Sequence, residues 1–314
     1  MTGALVTDQM MAAACAAAGL SDADARPGPA PLASPSYLAL ESASILTAGG
    51  VFLKVMHPEM REGFDLDAAM TLARQAGAAG VGPRVLWSDA GQGAIAMEAL
   101  TEAGGWRRAM QKDLQAPPVL AGAMAALKAL HATPALANRF DPFAQIDALI
   151  AEYRRLGASL PDDIDWLRRL IGAAEPVLRA GATLAPCRND GSASNLMLGP
   201  DGAVLLVDYD RAGMNDPLYE VGALLAETTD FERDMQAGFA AYAEGFDETG
   251  FARARLWSFV DDMLHALWSR LKARTSVRGG VEWLKYGEWR LMRLRMALNH
   301  PGFEQKIRLA GGAA

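Results

Sequence analysis

Three oxygen-bearing side chains, Asp190, Asn195 and Asp208, stand at spacings that could do chemistry together. Asp190 and Asn195 lie in Pro186-Cys187-Arg188-Asn189-Asp190-Gly191-Ser192-Ala193-Ser194-Asn195-Leu196-Met197-Leu198, and Asp208 ends the run Ala203-Val204-Leu205-Leu206-Val207. Between the two apolar runs stands Gly199-Pro200-Asp201-Gly202, a turn sequence, so the segment predicts a short hairpin. That hairpin would bring the loop carrying Asp190 and Asn195 and the end of the returning strand to one edge. Hard oxygen ligands in such an array suit Mg²⁺, which binds through one or two carboxylates together with nucleotide phosphates. Asp, Asn, Gly and Ser also favour turns for local reasons. A turn alone, however, needs no third acid at the end of an apolar strand.

The elements that must position these residues divide the 314-residue chain near residue 100. Before it, strand-like runs (Tyr37 to Leu40, Val51 to Val55, Arg84 to Trp87, Ala94 to Glu98) surround one amphipathic helix, Asp65 to Gly77, with a turn expected at Ala48-Gly49-Gly50. Thr7 should cap a short Ala-rich helix over residues 8–19, and Arg26 to Pro31 is too rich in proline for a helix or a central strand. After Thr101, helical spacing dominates (Pro118 to His131, Gln145 to Leu156, Ile164 to Arg179, and from Pro217 to Leu298), interrupted only by the β-rich stretch Leu184 to Asp208. With 51% hydrophobic and 21% charged residues the chain is a globular protein rather than a disordered one. Its net charge of −7 argues against nucleic acid or an anionic membrane as the main partner. Two distant cysteines, Cys15 and Cys187, form no disulfide framework or zinc motif, and no targeting segment is expected, so a cytoplasmic location is the simplest reading. His57, His131 and His300 show no metal-ligand spacing.

Asp190 with Asn195 five residues on, followed by a strand-terminal Asp208, has the catalytic-loop and metal-binding logic of eukaryotic-type kinases. Together with Asp208-Tyr209-Asp210-Arg211-Ala212-Gly213-Met214-Asn215-Asp216-Pro217-Leu218-Tyr219-Glu220, the segment resembles the choline/ethanolamine kinases and aminoglycoside phosphotransferases of the protein-kinase-like superfamily, over roughly residues 34–298. The resemblance implies an α+β fold of two lobes: a small β-rich nucleotide-binding lobe over residues 1–100 and a helical catalytic and substrate-binding lobe over 101–314. It further implies ATP and Mg²⁺ as cofactors, with Asp190 as catalytic base, Asn195 and Asp208 as metal ligands, Lys54 gripping phosphate, and Met97, Glu98 and Ala99 as the hinge for adenine. Three positions depart from the family pattern. The helical glutamate that should pair with Lys54 falls at Ala69, so Asp65 or Asp67 is expected to hold the lysine; the usual histidine before the base is Arg188; and the phosphate-covering loop, Pro31 to Ser36, is proline-rich.

In the choline kinase branch an acid and aromatic walls receive the acceptor's cationic head. The matching frames imply Glu227 as the acid, with Trp268 and Tyr286 as walls, Trp283 nearby and His265 where a second tryptophan is expected. For any one tryptophan at helical spacing, core packing is the simpler account. The expectation is a phosphotransferase acting on the hydroxyl of a small amine-bearing acceptor, a cationic amino alcohol. The rivals are an aminoglycoside-type or other small-alcohol kinase and a catalytically weakened, kinase-like small-molecule binding protein. Oligomeric state is not legible in the sequence.

Overall fold

The computed structural model describes the chain except at residues 1–4, 22–23, 30–31, 34–36, 39, 279 and 313–314, and at 32–33 and 37–38 it describes the backbone alone. The small lobe is built on a five-stranded antiparallel sheet in the spatial order Arg26–Pro27, Ser42–Leu46, Val51–Met56, Ala94–Glu98, Val85–Asp89. Period-two alternation along Val51–Met56 decides which side chains face the core and which face away from it. Val51, Leu53 and Val55 are buried with Ala94 and Ala96 against the helix Asp8–Ala17, which leaves Phe52, Lys54 and Met56 on the opposite face, lining a cleft. Thr7 caps that helix by accepting the Met10 amide, as the sequence predicts.

Two strand expectations are corrected. The hairpin partner of Val51–Met56 is Ser42–Leu46, not Tyr37 to Leu40; Gly50, at φ 75°, closes the turn, and Tyr37–Leu38 pairs with Leu32–Ala33 instead. Ser42-Ala43-Ser44-Ile45-Leu46 has a weakly apolar pattern because it stays half-buried along its whole length. Arg26–Pro27, read as loop, is an edge strand, where a residue with no N–H to donate is tolerated. Most of the expected phosphate-covering loop, Pro31 to Ser36, lies outside the described residues.

The large lobe is helical, and its centre is Glu248–Thr275, buried over most of its length and started by the Asp247 cap. Around it pack Pro142–Arg155, Ile164–Ala180, Pro217–Thr228, Val281–Asn299 and Gly302–Ala310. Gly222 permits the close contact of Pro217–Thr228 with the central helix, since a Cβ there would collide with the backbone carbonyl of Ala254. The β-rich interruption forms two small antiparallel pieces. Leu196–Leu198 pairs with Val204–Leu206 and with Arg107–Arg108, while Ala185–Cys187 pairs with Gly213–Asn215. The second pair closes the segment at its base, so residues 188–195 and 207–212 face each other as two loops. No helix is long and apolar enough to cross a membrane among the described residues.

Candidate active site

Asp190, Asn195, Asp208 and Lys54 converge at the mouth of those two loops. Asp190 accepts the Ser192 amide at 2.7 Å through Oδ1 and the Asn195 side-chain amide at 2.5 Å through Oδ2. Gly191 between them lies so near the Pro217–Thr228 helix that a Cβ would collide with Ala223. Lys54 reaches across from the sheet to Asp208 (2.9 Å) and to Asp210 (2.8 Å). The expected partners, Asp65 and Asp67, do not hold it. Asp65 is spent as the N-cap of the helix Leu66–Ala78, accepting the Ala68 amide, and Ala69 lines the cleft.

The electrostatics of this cluster are those of too many carboxylates for the cations present. Burial works against the charge of Asp208, but Lys54 overcomes it and holds Asp208 below the usual carboxylate range. Asp210 is pushed up to about 7 by burial and by Asp208 beside it. Burial also raises Asp190, with Asp208 adding to the effect against Arg188, and raises Glu41, again with Asp208 adding. Lys54 is raised, its two aspartates outweighing the burial that opposes its charge. Asn195 spends its amide N–H on Asp190, which leaves its carbonyl oxygen as an acceptor beside the two loop carboxylates. This donor set, carboxylate and amide oxygens with surplus negative charge, fits a hard divalent cation.

Behind the loops sits Arg188, fully buried, whose guanidinium ties the backbone of the site together. Nη1 donates to the carbonyls of Asn195 (3.0 Å) and Val207 (2.7 Å), and Nη2 donates to the carbonyl of Asp190 (2.9 Å). Its charge is met by Glu220, which takes Nε at 2.8 Å and the Arg188 amide at 2.9 Å, and His131 adjoins Glu220 at 3.3 Å. Asn189 adds a second staple. At φ 58° it donates to the Arg211 carbonyl at 2.9 Å and accepts from Asn215 at 2.8 Å. Asp208 is also in the left-handed region, at φ 65°, where a non-glycine residue is strained unless its surroundings hold it. Sequence reasoning passed over Glu41, Asp210 and the Arg188–Glu220 pair as site residues. Asp210 and Glu220 both stand in the segment that carries the resemblance, Asp210 two residues beyond Asp208; Glu41 had no signal, because its contacts exist only in three dimensions.

The cleft has a volume of about 880 Å³ and is lined by Phe52, Ile95, Met97 and Met197 on its apolar side and by Lys54, Asn195, Asp208 and Asp210 at its polar end. Of the expected hinge, Met97 and Glu98 line it, followed by Leu100 and Thr101, whereas the Ala99 amide is used on the Gly50 carbonyl at 2.9 Å. The five expected acceptor residues lie elsewhere, between the helices of the large lobe. Glu227 is buried at the end of Pro217–Thr228, with Arg293 at 3.7 Å. His265 meets Asp261 at 3.0 Å and packs edge-on to Tyr286, whose hydroxyl accepts from Arg290 at 2.6 Å. Trp268 and Trp283 stack edge to face, 5.2 Å apart, beside Met56 and Met60 of the small lobe. None of the five lines the 880 Å³ cleft.

Solved structures share this arrangement of lobes. A choline/ethanolamine kinase family protein from Mesorhizobium loti superposes with a TM-score of 0.76 at 22% identity, covering 91% of this chain and 93% of its own. Choline kinase LicA from Streptococcus pneumoniae gives 0.67 at 16% identity, covering 82% and 90%. An aminoglycoside phosphotransferase solved as its ternary complex with streptomycin and ATP gives 0.58 at 14% identity, covering 91% and 96%. No curated protein matches the chain in sequence. At these identities the likeness establishes the two-lobed, protein-kinase-like fold. The family follows from the sequence profile of the phosphotransferase enzyme family, which matches residues 42–257 and so spans the lysine strand, both loops and the start of the central helix; the chain belongs to that family.

Proposed function

We propose that this phosphotransferase moves the γ-phosphoryl group of ATP, with Mg²⁺, to the hydroxyl of a small amine-bearing molecule in the cytoplasm. In this reading residues 1–100 hold the nucleotide and residues 101–314 carry the catalytic loop and the acceptor. The observation that carries it is the meeting of Lys54, Asn195 and Asp208 at the polar end of one cleft, with Asp190 bonded to Asn195. Asp208 and the Asn195 carbonyl would hold the ion, which when bound neutralises charge on the phosphates. Lys54, already at the cleft, exchanges Asp208 and Asp210 for phosphate oxygens. Asp190 orients the acceptor hydroxyl and takes its proton as the new O–P bond forms and ADP leaves. Its raised pKa suits a base of that kind. The Met97–Ala99 hinge receives adenine on the apolar side of the cleft.

Support for an amine-bearing acceptor comes from the buried carboxylate of Glu227, with His265, Tyr286, Trp268 and Trp283 in the same lobe, where the faces of Tyr286 and Trp268 already hold guanidinium cations, Arg290 and Arg211. The test is an acceptor screen on the purified protein, reading ADP release with and without Mg²⁺ against amino alcohols, aminoglycosides and neutral polyols. Metal-dependent turnover with amino alcohols above polyols is expected. Turnover with polyols alone would overturn the amine reading, and MgATP binding without transfer to any acceptor would favour a binding protein.

A further inference from the structure

Arg211 is held in an unusual state for a half-buried arginine. Its guanidinium carbon lies 4.7 Å from the centroid of the Trp268 ring and 5.2 Å from that of Phe64. Phe64 leads into the helix Leu66–Ala78 of the small lobe, and Trp268 belongs to the central helix of the large one, so the cation sits between rings from both lobes. Among the described residues no carboxylate lies within ion-pair distance of it and no group accepts a hydrogen bond from its side chain. Other enclosed arginines differ: Arg188, Arg253 and Arg290 each have a carboxylate within 2.8 Å, and Arg293 has one at 2.9 Å. Aromatic faces leave the N–H edge of a guanidinium, a rigid fork matched to carboxylate and phosphate oxygens, unspent.

The position of that fork bears on the acceptor. Arg211 follows Asp210 directly, and its carbonyl is held by the side chain of Asn189, the residue before Asp190. Its charge acts on Glu41 at the cleft and on Tyr219, whose hydroxyl donates to Asp261 at 2.6 Å beside His265. The guanidinium therefore stands beside the phosphoryl-transfer loops, and one of the two rings it lies on is Trp268, an acceptor residue in the reading above. We infer that Arg211 binds an oxyanion, carboxylate or phosphate, carried by the acceptor beside its hydroxyl. Combined with an amine at Glu227, the acceptor is a zwitterionic amino alcohol rather than a simple cation. This inference rests on the phosphotransferase reading above.

Matched acceptor pairs test it in the full chain: ethanolamine against serine and 3-aminopropanol against homoserine for carboxylate, and glycerol against glycerol 3-phosphate for phosphate. Binding is measured by calorimetry with MgADP present, and transfer by ADP release with MgATP. In one of the two sets the oxyanion member should bind at least tenfold more tightly than its partner, and which set responds identifies the group. Arg211→Gln should erase that difference through KM, and Arg211→Lys should keep part of it. Equal binding within every pair, or a Gln variant that weakens both members of a pair alike, overturns the inference and leaves Arg211 a clamp between lobes. The comparison within pairs on the unaltered protein stands even where the Gln variant fails to fold. Oxyanion-selective binding without phosphoryl transfer would sink the phosphotransferase reading alone.

Discussion

Two clusters of charge, one at the cleft and one inside the helical lobe, are built from the same residue types and behave differently. At the cleft, Lys54 is shared by Asp208 and Asp210, with Glu41 and Asp190 close by, and the Asp208 side chain keeps 35% of its surface exposed. Between the helices Glu248–Thr275 and Val281–Asn299, Asp261 takes Arg290, His265 and Tyr219, and Asp262 takes Arg290 and Arg293, all but fully buried. There burial works against the charge of Asp261, but His265 and then Arg290 hold it far below the usual carboxylate range. A carboxylate whose charge is met by buried arginines has no use for a ligand. Carboxylates that outnumber their cations have a standing attraction for one. The difference teaches that charge balance, more than charge density, separates a site that waits for a partner from a network that holds a fold.

The sharpest way to break this comparison is Asp208→Ala, which should abolish Mg²⁺-dependent nucleotide binding because the phosphates lose their counter-ion; equal MgATP affinity by calorimetry would refute the metal assignment. Asp190→Asn should next lower turnover by about 10²–10⁴ while nucleotide binding persists. A near-normal kcat would remove Asp190 from proton transfer.

Smaller effects sharpen it from the structural side. Asp261→Ala leaves Arg290 to share Asp262 with Arg293 and strips the buried Tyr219 hydroxyl of its acceptor, and should cost about 3–5 kcal/mol by chemical denaturation, with the Mg²⁺ dependence of nucleotide binding unchanged in the protein that folds. Glu220→Gln weakens a buried pair too, but one wired to the carbonyls of Asp190, Asn195 and Val207. It should therefore lower kcat as well as the melting temperature. If it changed only the melting temperature, Arg188 would belong with the helix network instead.

The smallest expected effect lies away from both clusters and guards the pH profile. His57 accepts the Val6 amide at 2.9 Å, and burial, with Arg278, lowers its pKa to about 4. Unfolded, it titrates near 6.5, so between about 6.5 and 4 the unfolded chain binds more protons. Stability from this residue is complete above that window and falls as the pH drops through it, by about 2–3 kcal/mol. In His57→Gln the fall in denaturation free energy between pH 7 and 4 should shrink accordingly. An unchanged slope would move the acid sensitivity to the cleft carboxylates.

The sequence by itself determined what is local. A turn at residues 199–202 flanked by apolar runs brings Asn195 and Asp208 to one edge, because hairpin geometry acts over a few residues, and Asp190 joins them through its bond to Asn195. Alternation likewise placed Lys54 on the opposite face of its strand from Val51, Leu53 and Val55. The shift from strand to helix near residue 100 was legible in periodicity; the weakly patterned Ser42–Leu46 was not. Tertiary structure alone decided who pairs with whom. Lys54 meets Asp208 across 154 residues of chain, and so Asp65 and Asp67, near it in sequence, were the wrong candidates. Glu220 became the counter-charge of Arg188, and Arg211 came to lie between Phe64 and Trp268, only because helices and lobes packed against each other. Ion pairs and ring contacts depend on distances of a few ångströms, and spacing along the chain carries no record of them beyond the reach of a single element.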